Sequence, residues 1–158
     1  MSYWFVLNIF LLIFAIWQVV THALFPALPS HVIVGFIGFL FFLFNWTRNA
    51  VFATIRTVPE RKKKIKLANL SKKVLPFHRW TGTTALLLII VHAIMVISNL
   101  GFTMKNEKML VGLLALIIMV LLVFTGWYRL IKPSGTVRKI HLWLGMSLFM
   151  MIAIHLLL

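Results

Sequence analysis

The residues able to do chemistry in this chain are its histidines, and four of them fall into a repeated pattern. His78-Arg79-Trp80-Thr81-Gly82 leads to His92, and His141-Leu142-Trp143-Leu144-Gly145 leads to His155, so both stretches read H-x-W-x-G-x9-H. Within each copy the histidines are 14 residues apart, and the residues between them are almost wholly apolar. On an α-helix that interval advances about 1400°, roughly 40° short of four full turns, and about 21 Å along the axis. The two imidazoles of each copy therefore share one helix face at two depths. Two such helices with these faces together offer one His–His pair at each depth. A pair of this kind can fill both axial positions of a haem iron. Bis-histidine ligation leaves the metal no open position, which suits electron transfer rather than oxygen binding or activation.

Other chemistries are thinly supplied. The chain has no cysteine, which removes disulfides, thiolate catalysis, cysteine-ligated iron–sulfur clusters and the C-x-x-C-H attachment of haem c. Its acidic residues are Glu60 and Glu107 alone, too few for a carboxylate-rich metal site. The alternatives for the four histidines are bundle-facing rings hydrogen-bonded to neighbours, a proton relay, or another metal. Gly82 and Gly145 follow the first histidine of each copy by four residues, on nearly the same face, where a missing Cβ lets a flat ring approach the backbone. Trp80 and Trp143 are expected beside that ring or in an aromatic belt. Arg79, Arg138 and Lys139 stand at the depth where haem propionates would emerge.

These residues need helices in a bilayer to position them. Of 158 residues 62% are hydrophobic, with several runs approaching the 20 or so that cross a membrane. Lipid offers backbone groups no hydrogen bonds, so the spans must be helical. The expectation is an all-α membrane protein: one transmembrane domain, a bundle of five transmembrane helices with haems between the third and the fifth. The spans are read at about 3–24, 31–47 (with a continuation through Val51 to Ile55 as the alternative), 77–100, 109–128 and 140–158, with a basic loop over 48–76. Part of that loop is either a segment lying along the membrane surface or simply solvated. The first span lacks the charged start of a signal peptide and is expected to be retained. His22 and His31 flank a prolyl turn at Phe25–Ser30; they are interfacial residues or neighbours of an electron acceptor or metal.

The net charge of +14 sits between the apolar runs. It is therefore read as topology and contact with the lipid bilayer, not as nucleic-acid binding. Fourteen of the 16 Lys and Arg residues fall on one side of the bundle, and Lys105 and Lys108 on the other. The positive-inside rule then makes the basic side cytoplasmic in a multi-pass protein of the cell membrane, with the N-terminus inside and the C-terminus outside. The third and fifth spans run the same way. His78 pairs with His141 near the inner surface, and His92 with His155 toward the outer one.

His78-Arg79-Trp80-Thr81-Gly82 with His92, and His141 with His155 two helices later, resemble the ferric reductase-like transmembrane domain over about Leu75–Leu158. That family includes metalloreductases, NADPH oxidases and the haem-binding membrane subunit of a bacterial methionine sulfoxide reductase system. The resemblance implies two haems b, axially ligated by the four histidines as paired above, and electron flow outward from the cytoplasm. Members often carry a sixth helix and a flavin- and nicotinamide-binding domain. Neither that domain nor a Rossmann glycine motif is present in this sequence. The chain is then an oxidoreductase component that takes electrons from a separate flavoprotein or quinol and delivers them to an extracytoplasmic acceptor. Alternatives are a quinone-reactive cytochrome b anchor of a respiratory complex and a histidine-lined proton or metal transporter.

Overall fold

In the computed structural model, which describes residues 3–23 and 28–158 without the side chains of His22 and Ala23, the chain is five α-helices. They are α1 (Tyr3–Ala23), α2 (Ser30–Thr57), α3 (Arg61–Leu100), α4 (Glu107–Ile131) and α5 (Gly135–Leu157). All five are long and apolar enough to cross a membrane. No strand occurs among the described residues. The role of His22 and the first half of the prolyl turn, residues 25–27, fall outside the described residues.

Local chemistry sets the ends. Asn106 caps α4 by accepting from Met109 N at 3.1 Å, and Glu107 places negative charge in the first turn, where the helix dipole favours it. Ser134 caps α5 through Thr136 N at 3.2 Å. Pro59 keeps Val58 extended and so stops α2, since a residue before proline avoids the α region. Gly101 ends α3 at φ 72°, a left-handed conformation that suits glycine.

The structure corrects the expected basic loop. Most of 48–76 is helix: α2 continues to Thr57, α3 begins at Arg61, and only residues 58–60 connect them. Lys, Arg, Leu and Ala are good helix formers, and the segment contains no glycine. The rest comes from pairing, because Ala50 of α2 and Ser71 of α3 are both buried where the two helices extend past His78. Pro76 lies inside α3, four residues after Lys72, whose carbonyl its ring leaves without a donor. Both residues are on the exposed side, where solvent can satisfy that carbonyl.

Each helix packs on its sequence neighbour, and a smaller α1–α5 contact closes the ring. Consequently α3 and α5 are not the packed neighbours the histidine pattern suggested; α4 stands between them, and they face each other across the bundle. Directly packed helices lie only about 8–10 Å apart. That is too close for two imidazoles and a metal between them, whereas the diagonal leaves room. The middle of the bundle is filled by Phe42 and Trp46 of α2, Met119 of α4, and Leu148 and Phe149 of α5. Trp46 stacks on Phe149 with ring centres 5.3 Å apart.

Candidate functional site

The two histidine-bearing faces of α3 and α5 both turn inward. At the basic end, the rings of His78 and His141 stand 6.3 Å apart between centres, with their planes at 78°. A metal bound through one nitrogen of each ring, at about 2.0 Å, with ~1.1 Å from nitrogen to ring centre, would separate the centres by roughly 6.2 Å. At the opposite end, His92 and His155 line one cavity of about 430 Å³. That volume is within the range of about 300–1,000 Å³ usual for small-molecule and cofactor pockets. Its other walls are mostly apolar, among them Phe39, Phe42, Met119 and Leu148, with Gln18, His31, Asn106 and Lys108 as polar lining residues.

All four rings are held the same way. His92 Nδ1 donates to the His31 carbonyl at 2.7 Å, and His155 Nδ1 to the Lys108 carbonyl at 3.0 Å. His141 Nδ1 donates to the Leu122 carbonyl at 3.1 Å, with Thr125 Oγ1 at the same distance. His78 Nδ1 meets Asn45 Oδ1 at 3.0 Å, an oxygen that also accepts from Thr81 Oγ1 at 2.7 Å. A carbonyl oxygen only accepts, so Nδ1 carries the proton and Nε2 keeps its lone pair. This is the support that metal-ligating histidines usually have: the second nitrogen donates to an oxygen, fixing tautomer and ring orientation.

The partners come from α2 and α4, and sequence reasoning missed them. So did three glycines opposite the rings. A Cβ at Gly35 would stand 2.7 Å from His92 Nδ1; at Gly112, 3.0 Å from His155 Cε1; at Gly126, 3.4 Å from His141 Cε1. Each small residue admits an imidazole against a neighbouring helix. Gly82 and Gly145, singled out in the pattern, face other groups. A Cβ at Gly145 would meet the Trp46 ring at 3.0 Å, and one at Gly82 would meet Asn45 Nδ2 at 3.3 Å. Glycine at 145 thus makes room for Trp46, and glycine at 82 for the amide that holds His78.

Trp80 and Trp143 point away from the interior, 68% and 72% exposed. Trp80 meets Trp127 edge-on, and Trp127 donates to Thr83 Oγ1 at 3.1 Å, so these indoles form an outward aromatic girdle. Arg79 lies over Trp127, 6.0 Å from the ring centre, and Arg138 is exposed. His31 does belong to the site: it lines the same cavity as His92 and His155, with its ring centre 6.2 Å from that of His92, although it takes no part in the repeated pattern.

Among the described residues no three of His, Cys, Asp and Glu gather closely enough to hold a bare metal ion. The arrangement is of pairs, and pairs suffice for an iron whose four equatorial ligands come from a porphyrin. No protein family, curated protein or solved structure matches this chain.

Proposed function

We propose that the protein carries electrons across the membrane through two bis-histidine haems b. His78 and His141 ligate the one at the basic end, and His92 and His155 the other. The observation that carries this reading is the common tautomer: four inward histidines, each with Nδ1 donating to an oxygen and Nε2 free. A proton relay would not require that uniformity. The 6.3 Å spacing of His78 and His141 supports it further. When bound, haem supplies a one-electron couple at each level. The chain's part is to hold the rings in register and to keep water away with its apolar core, and a haem held by two histidines would have no position left for oxygen.

The charge asymmetry supports a cytoplasmic basic end, with the N-terminus inside and the C-terminus outside. A flavoprotein or quinol supplies the electrons in this reading. An extracytoplasmic acceptor takes them, as in a ferric reductase or an extracytoplasmic reductase system. The ferric reductase-like resemblance points the same way. The test is the dithionite-reduced absorption spectrum of the purified protein, with haem quantified as the pyridine complex. Two haems b per chain are expected, and a spectrum without haem bands would overturn the reading.

A further inference from the structure

One turn beyond the inner histidine pair, toward the basic end, lie two half-buried arginines with no acidic partner. Arg48 and Asn49 follow Asn45 on α2 by three and four residues, so they share the face that holds His78. Arg129 follows Thr125 on α4 by four residues, on the face that holds His141. The two helices thus repeat one design, in which a ring-holding residue is followed a turn later by a cation. The charges of Arg48 and Arg129 act on each other and on both histidines, which places all four groups in one locality.

The donors here lack acceptors. Arg48 Nε and Asn49 Nδ2 are buried without a hydrogen-bond partner. The Arg48 guanidinium lies over the Phe52 ring, 5.5 Å from its centre, so the ring covers one face and the N–H edge stays available. No protein carboxylate answers these cations: Glu60 is engaged by Lys63 at 2.7 Å, and Glu107 begins α4 at the far end of the bundle. Two like charges at one depth, with unmet donors between helices, call for an anionic acceptor.

We infer that Arg48 and Arg129, with the Asn49 amide, form a two-sided cradle for a pair of carboxylates, namely the propionates of the inner haem. This rests on the di-haem reading and assigns to α2 and α4 the role that the sequence pattern gave to Arg79 and Arg138. One arginine serves each carboxylate, through charge-assisted hydrogen bonds on an edge suited to that geometry.

The test uses the His92→Ala protein in phosphatidylcholine nanodiscs, so that only the inner site takes up haem. Its affinity is compared for haem b and for the dimethyl ester, which lacks the propionate charges. Haem should bind tighter than its ester by on the order of tenfold or more. Arg48→Gln and Arg129→Gln should each shrink that preference, and Arg48→Lys should keep part of it. The inner midpoint potential should fall in the Gln variants, since a lost cation leaves propionate charge uncompensated near the iron. Equal binding of haem and ester by the parent protein overturns the inference and leaves the di-haem reading standing. If the anion is instead a lipid phosphate, haem and ester bind alike, and phosphatidylglycerol discs stabilise the unloaded protein but not its Arg48→Gln form. Failure to take up either porphyrin overturns both.

Discussion

The Nδ1 of His92 donates to the backbone carbonyl of His31 at 2.7 Å, across the α2–α3 interface. That bond ties the histidine face of α3 to the first turn of α2, and Gly35 lies beside it on the next turn. A Cβ at position 35 would approach His92 Nδ1 to 2.7 Å, closer than such contacts occur, so the ring must shift away from its place against the His31 carbonyl. At Gly112 the approach to His155 is 3.0 Å, and at Gly126 the approach to His141 is 3.4 Å, an ordinary contact. The expected order of damage is therefore Gly35→Ala, then Gly112→Ala, with Gly126→Ala near wild type. Loss of supporting contacts of this kind lowers metal-site affinity by about 10–100-fold. Haem titration of the three variants checks the order, and an equal effect at all three would contradict it.

Removing a ligand should act at one level only. Alanine at His92 or His155 is expected to leave one haem per chain, with the inner spectrum intact. Alanine at His78 or His141 should leave the outer haem. The pyridine haemochrome stoichiometry and the redox titration report this together, as two steps becoming one. If His92→Ala and His78→Ala removed the same species, the pairing would be wrong.

Asn45 offers a subtler handle, because its Oδ1 is shared by His78 and Thr81. Asn45→Ala leaves the Nδ1 proton without its acceptor, at a cost of about 1–3 kcal/mol for a buried group. It should weaken the inner haem and spare the outer. Asn45→Asp places a full negative charge on the same proton, makes His78 a stronger donor to iron, and should lower the inner midpoint potential. A potentiometric titration separates the two outcomes.

The diagonal placement of α3 and α5 explains what could and could not be read from the amino-acid order. Periodicity along one helix puts His78 and His92 on a common face, and the equal interval in α5 does the same for His141 and His155. Those are local consequences of helix pitch. Asn45, Thr125 and the carbonyls of His31, Leu122 and Lys108 are partners from other helices, and nothing in the spacing marks a carbonyl as an acceptor. Gly145 is a different case. Its place in the motif invited a cofactor role, yet Trp46, nearly a hundred residues earlier, occupies that space. The basic 48–76 stretch reads as a loop because charge marks solvent exposure and says little about helicity. Only burial of Ala50 and Ser71 shows that the two helices continue together.

The orientation can be tested cleanly because the chain has no cysteine. Single cysteines at Lys64, in the basic hairpin of α2 and α3, and at Lys105, between α3 and α4, sit at opposite ends of the bundle. Both positions are exposed, so neither substitution disturbs the core. With the basic end in the cytoplasm, a membrane-impermeant maleimide added to intact cells should label the cysteine at 105 and leave that at 64 unlabelled. Permeabilised cells should label both. The reverse pattern would invert the bundle, put the His78–His141 pair at the outer surface, and require the electron donor to dock from outside.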